Sequence, residues 1–201
     1  LLGTQMVAKG LDFPNVTLVG VVDGDLSLYA DNYRAAERTF SLLTQVVGRA
    51  GRGDKPGRAI IQTWTPDNDI LNLAARQDYD TFYTGEREMR RLLRFPPFLN
   101  LFRITISGPE ETQVLRACAV VRRSLDPWIK PRQHGPDGPE VLGPAPAPIL
   151  KINNRYRYRV LVKCRNDKEI RAILAQILRA AQQDRANKGL SILIDVDPMD
   201  G

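Results

Sequence analysis

The sequence predicts two successive units, an α/β layer built on parallel strands and then an α+β unit in which strands and helices follow another order. Three observations predict this. Early in the chain, two β-branched apolar runs flank a helix-forming stretch through short connections, the grammar of a parallel α/β layer. A double proline, Pro96-Pro97, then stops a long, strongly charged helical stretch. Beyond it the hydrophobic period switches repeatedly between two and about 3.6, in the order β-α-β-β-α-β.

Residues 16–22 (VTLVGVV) form a continuous apolar run, which predicts a short strand buried on both faces. Residues 31–47 carry good helix formers and stop at Gly48. Residues 59–64 (AIIQTW) follow a Gly-Asp-Lys-Pro-Gly turn and read as a second buried strand. From 69 to 94 the pattern is helical. The expected organisation is therefore an α/β part over 1–68, a helical connector over 69–97 and an α+β domain over 98–201.

In that last part, residues 99–107 alternate as a half-buried strand, and 110–125 space Val114, Leu115, Cys118, Val121 and Leu125 along one helix face. A Pro/Gly-rich loop is expected over 127–139, a short strand over 140–142 and a longer one over 156–164. Residues 167–188 read as a helix with Asp167 as N-cap and Gly189 as stop, and 190–196 as the final strand. The whole is the ferredoxin-like unit.

The 201 residues allow one large domain or two small ones, and 43% hydrophobic content is enough for a packed core. The absence of an apolar run of about 18 residues speaks against a membrane helix, and the start carries no secretion-signal pattern. The opening without Met, directly on a motif, reads as a fragment. Cys118 and Cys164 lack CxxC spacing and have one histidine, His134, to join them, so no metal site is expected and reduced cysteines in the cytoplasm are. The net charge of +6 favours a polyanionic partner, nucleic acid among them.

Two segments carry chemistry. In GTQMVAKGLDFP (3–14), Gly3 and Gly10 let backbone approach a polyanion, Thr4 offers a hydroxyl for a phosphate, and Asp12 can accept from a ribose hydroxyl or orient an arginine. On its own this reads more simply as a glycine-containing loop before a strand. In QVVGRAGR (45–52), Arg49 and Arg52 each follow a glycine at a helix end, placing two guanidinium forks where they can reach a γ-phosphate. A basic helix end that offsets the helix dipole is the plainer reading, but lysines would serve it equally well. A third feature lies downstream. Arg155, Arg157 and Arg159 share one strand parity and Tyr156 and Tyr158 the other, and no acidic residue falls between 150 and 166. A one-signed stripe suits a phosphate backbone, although charge on an exposed sheet face also guards against aggregation.

Taken together, KGLDFPNV followed by QVVGRAGR resembles motifs V and VI of superfamily 2 helicases. GTQMVAKGLDFPNVTLVGVVDGD, DNYRAAER (31–38), RFPP (94–97), LGPAPAP (142–148) and IDVDP (194–198) resemble the PriA (primosomal protein N′) family within it. The resemblance implies part of a RecA-like helicase lobe 2 followed by the ferredoxin-like domain. It implies that Gly10, Asp12, Gln45, Arg49 and Arg52 face ATP, with Arg52 as the arginine finger, and that Thr4 and Gln5 touch DNA together with Arg155, Arg157 and Arg159. The Walker A segment and Mg²⁺ site would lie in another lobe, since neither motif occurs here, and the family's zinc site would lie upstream; this chain alone would then be inactive. The whole protein would be a cytoplasmic, nucleoid-associated 3′→5′ helicase acting in replication restart. Its partners would be forked DNA, single-stranded-DNA-binding protein, whose acidic tail Lys168 and Arg171 could receive, and other primosome proteins. A non-catalytic DNA- or protein-binding scaffold, or another superfamily 2 translocase, are the alternatives.

Overall fold

The computed structural model describes residue 3 and residues 16–50, 56–132, 134–135 and 137–199. The chain divides into two compact units, Leu1–Met89 and Arg90–Gly201.

In the first unit, β1 (Leu18–Val21) and β2 (Arg58–Ile61) pair in parallel, Leu18 opposite Arg58 and Val21 opposite Ile61, with helix α1 (Ala35–Val47) between them in sequence. Helices α2 (Asp69–Arg76) and α3 (Tyr79–Leu92) follow. Phe40 and Leu43 of α1, Leu71 and Ala74 of α2 and Phe82 of α3 form one buried cluster, with Phe40 stacked on Phe82 at 4.0 Å between ring centres. Val21 and Ile61 pack against this cluster. The strands were expected to be buried on both faces, and they are not: Leu18 is 61% exposed and Ile60 50%. The helices cover the face that carries Val21 and Ile61, so alternate residues point outward. The helical stretch also divides where the sequence shows neither Gly nor Pro. Gln77 takes a left-handed conformation (φ 55°), and the Asp78 carboxylate caps the next helix by accepting from Thr81 N at 3.1 Å.

The second unit holds β3 (Asn100–Gly108), α4 (Glu111–Ile129), β4 (Glu140–Ile152), β5 (Arg155–Cys164), α5 (Lys168–Gln183) and β6 (Ser191–Val196). Its sheet is antiparallel throughout, in the order β4-β5-β3-β6. One face is apolar because strand alternation puts Phe102, Ile104 and Ile106 of β3 with Val160, Val162 and Cys164 of β5. Val114, Ala117, Cys118, Val121 and Leu125 of α4, and Ile170, Leu174 and Ala181 of α5, pack on that face as one core. Asp167 caps α5 through a 2.9 Å bond from Ile170 N, at the start the sequence predicts, but the helix ends at Gln183 instead of running to Lys188. Asp184 is extended and its carboxylate accepts from Ala186 N at 2.9 Å, and Gly189 (φ 88°) turns the chain only afterwards, just before β6.

Two further lengths differ from expectation. Helix α4 runs through Pro127 to Ile129, because Trp128 and Ile129 are buried in the core and their burial outweighs one lost backbone bond. Strand β4 has thirteen residues instead of three. It lies at the sheet edge, where Pro144, Pro146 and Pro148 can turn their missing N–H sides away from β5.

The segment entering β3 is tied to the sheet by Lys163. This lysine is buried, donates to Leu93 O at 3.0 Å, lies 4.2 Å from the Phe95 ring centre and 3.8 Å from Glu140. Cys118 and Cys164 are free thiols in the core, and burial pushes both up to about 12. At pH 8 only about one thiol in ten thousand would be ionised. A thiol reagent is therefore expected to leave the native chain unmodified while labelling both cysteines in guanidinium. Labelling at the same rate in native buffer would show that this core opens.

Candidate nucleic-acid interface

Five of the residues singled out in sequence, Thr4, Gln5, Gly10, Asp12 and Arg52, lie outside the described residues. The remaining two of the nucleotide group, Gln45 and Arg49, stand four apart at the end of α1. Gln45 is exposed, with Nε2 donating to Ser41 Oγ at 3.3 Å. Arg49 is half-buried, and its backbone N–H donates to Val46 O at 3.1 Å, so the chain leaves α1 by a tightened turn. Gly48 has a packing reason that the sequence did not reveal. A Cβ there would stand 3.2 Å from both Gln77 Nε2 and Thr44 O. The Gln77 amide in turn reaches Thr44 O at 3.5 Å, a second donor to a carbonyl that already accepts from Gly48 N at 2.9 Å. The α1 terminus is thus a tight corner held by Gln77 at the end of α2, with Gln45 exposed one turn before it and Arg49 half-buried just after it.

Sequence reasoning passed over Asp25. It is buried and accepts three bonds, from Thr65 Oγ1 (2.7 Å), Trp64 N (2.8 Å) and Thr63 Oγ1 (2.9 Å). Hydrogen bonding from Thr65, then from Trp64, holds its carboxyl below the usual carboxylate range. Asp25 therefore fastens the loop after β1 to the segment after β2. The signal was the Asp23-Gly24-Asp25 turn directly behind a strand, where a buried acceptor can meet backbone N–H groups.

In the second unit the helices lie on one face of the sheet, and the opposite face carries Arg103 and Thr105 of β3, Arg157, Arg159 and Leu161 of β5, and Leu193 and Asp195 of β6. The three stripe arginines are not equivalent. Arg155, at the first position of β5, donates through Nη2 to the carbonyls of Ser107 (2.8 Å) and Gly189 (2.9 Å), binding β5 to β3 and to the turn before β6. Arg159 lies between Thr105 and Ala145 in the middle of the sheet. Arg157 is half-buried and has no hydrogen-bond or ion-pair partner among the described residues. Arg103 pairs with Asp195 at 3.3 Å, which places an acid at the β6 side of the face. On the other parity, Tyr158 packs against the core and donates to Glu111 Oε1 at 2.5 Å, a bond that raises its pKa. Tyr156 is covered by the Lys151 ammonium, 4.5 Å from its ring centre.

Lys168 and Arg171 are both exposed in the first turn of α5, and Arg171 Nη1 donates to Asn166 Oδ1 at 3.3 Å. Beside them a shallow cleft is lined by Trp128, Arg132 and Arg165, whose cations already pair with Glu169 (2.6 Å from Arg132) and Asp137. Among the described residues no group of three or more His, Cys, Asp or Glu side chains could hold a metal ion, and no helix is long and apolar enough to cross a membrane.

The sequence pattern of the family described as Primosomal protein N C-terminal domain matches residues 91–199, which is the second unit almost to its ends. Proteins named Replication restart protein PriA are similar over most of the chain. That of Bacillus subtilis is 43% identical over 198 residues, 98% of this chain and 24% of the relative. That of Synechocystis is 44% identical over 166 residues, 81% of this chain and 19% of the relative. That of Chlamydia trachomatis is 36% identical over 205 residues, 99% of this chain and 25% of the relative. The chain thus spans about a quarter of the length of these curated relatives.

Proposed function

The chain belongs to the PriA family, and from that membership we propose that it is the C-terminal part of an ATP-dependent 3′→5′ DNA helicase that recognises stalled forks and starts primosome assembly in replication restart. Support comes from similarity that runs through both units, since 43% identity over 198 residues covers the QVVGRAGR segment as well as the C-terminal sheet. In this reading the first unit is part of a RecA-like lobe 2 and the second is a ferredoxin-like domain; the helices expected as a connector over 69–97 belong mostly to the first unit, where Leu71, Ala74 and Phe82 share the core of α1.

Gln45, Arg49 and Arg52, with Gly10 and Asp12, would face ATP whose phosphates are cradled by the other lobe. The residues described fit that task. The end of α1 presents carbonyl oxygens and the negative end of the helix dipole, which repel a triphosphate. A guanidinium at the same corner reverses that sign, and Gln45 adds a neutral donor one turn away on the exposed side. ATP hydrolysis with Mg²⁺ supplies the driving force; the arginines stabilise charge that develops on the transferring phosphoryl group. Mg²⁺ and the family's zinc are assigned to parts of the protein outside this chain. Thr4 and Gln5 would touch the DNA track, and Arg157 and Arg159, with Arg155 bracing their strand, would hold the backbone of forked DNA. Lys168 and Arg171 would receive the acidic tail of single-stranded-DNA-binding protein.

The reading is tested by the full-length protein on a fork labelled at the duplex end. ATP-dependent displacement of the strand expected for 3′→5′ movement, and none by the present chain alone, is the expected result. A full-length protein that binds the fork yet displaces nothing with ATP would return the scaffold alternative.

A further inference from the structure

We propose that the β4–β5 hairpin carries an apolar knuckle that enters the base stack of DNA at a branch point, beside a phosphate held by Arg157. This rests on the fork-binding reading above and names the part of the fork that the second unit engages. The carrying observation is a break in register. Pro146 pairs with Tyr158 and Lys151 with Tyr156, so Ala147, Pro148, Ile149 and Leu150 stand opposite Arg157 alone. Four residues against one force the edge strand to bulge outward. Ala147 anchors the bulge, being buried, while Ile149 is 59% exposed and Leu150 38%. Two large aliphatic side chains thus project beside the one guanidinium of the stripe that has no partner among the described residues.

The surroundings select the occupant. No acidic residue occurs from 141 to 166, so the knuckle sits in a one-signed basic field that complements a phosphate backbone. Pro144, Pro146 and Pro148 take N–H donors out of the edge strand, which disfavours a peptide adding as a further strand. The side chains project instead of lining a groove, which does not suit capture of a peptide's apolar anchor. A projecting Ile-Leu pair next to a phosphate-binding cation matches the way aliphatic wedges part a base step, and the steps at a branch are already the least stacked. The hairpin is also stiff. Asn153 (φ 50°) and Asn154 (φ 58°) form its two-residue turn in the left-handed conformation that suits strand twist, and Lys151 lies over Tyr156 just behind the tip.

The test uses the full-length protein, without ATP, on forks carrying 2-aminopurine at the branch or within the duplex arm. Wild-type protein is expected to raise fluorescence severalfold at the branch and little in the arm. Ile149→Ser with Leu150→Ser should abolish at least half of that rise while fork affinity changes less than about threefold, and Ile149→Phe with native Leu150 should keep it. Both sites are exposed, so an unchanged melting temperature confirms folding. A branch signal undiminished in the double serine variant overturns the proposal and leaves the knuckle to a protein partner or a second copy. Fork affinity absent from the wild type overturns the fork reading itself, a result distinct from loss of the branch signal alone.

Discussion

Arg52→Ala in the full-length protein is expected to lower DNA-stimulated ATP turnover by about a thousandfold, with KM for ATP moving far less. The argument begins with charge. As the γ-phosphoryl group transfers, negative charge spreads over its oxygens, and an interaction that strengthens at that moment raises kcat instead of merely tightening binding. A guanidinium meets this need with two parallel N–H donors held in one plane, and its charge cannot be titrated away. Arg49 shares the corner but is half-buried at the tightened end of α1, where Gly48 is pressed between Thr44 O and the Gln77 amide. Arg49→Ala should therefore raise KM as well as lower kcat, because it removes the cation that offsets the α1 carbonyl end for any bound triphosphate. Arg52→Lys tests the fork geometry, since an ammonium keeps the charge and loses the bidentate contact. The measurement is steady-state phosphate release with saturating forked DNA. Undiminished turnover in Arg52→Ala removes the finger role, and equal losses in KM alone would reassign both arginines to ground-state binding.

How much of this was legible in the sequence depends on which residues spoke through local rules. The order β-α-β-β-α-β could be read because each element of the second unit keeps a clear period, and because Asp167 marks the start of its last helix by chemistry that acts within a few residues; its end, at Gln183, comes earlier than the Gly189 stop the sequence offered. What could not be read depended on position in the sheet. The strand expected over 140–142 stopped short of Pro144, Pro146 and Pro148, yet β4 runs on through all three as an edge strand, and an edge tolerates missing donors that a central strand would not. Pro127 argued for a helix end, yet the core lies just beyond it at Trp128 and Ile129. The first unit's strands were read as doubly buried from their β-branched run, although the helices pack against Val21 and Ile61 and leave Leu18 and Ile60 outside. The site divided along the same line. Period two placed the three arginines on one parity correctly, but parity says nothing about strand ends, and Arg155 at the end of β5 is engaged by two carbonyls. Asp25 was missed because its partners, Thr63, Trp64 and Thr65, are some forty residues away in sequence.

That difference between Arg155 and its neighbours yields the second large effect. Arg157→Ala with Arg159→Ala is expected to weaken fork binding by the full-length protein about ten- to thirtyfold at low salt. The slope of log affinity against log salt should flatten by about 1.8 for two contacts to duplex phosphates, or about 1.4 if they lie on single strands. The slope is the more telling number, because it counts counterions released and is insensitive to small structural losses. Arg155→Ala supplies the contrast. Removing its guanidinium leaves the Ser107 and Gly189 carbonyls to water, at a cost of about 1 kcal/mol in folding stability for a partly exposed bond pair. Its salt slope should stay near that of the wild type while its melting temperature falls. The double variant should behave the opposite way. Arg103→Ala adds a further test, since that arginine already pairs with Asp195 and its loss would leave an acid exposed on the same face. The Coulomb field there turns less favourable to phosphate even if Arg103 touches none, so affinity should fall modestly. If the double variant keeps both affinity and slope, the open face of the sheet is not where DNA lies, and the basic stripe serves to keep an exposed sheet from self-association.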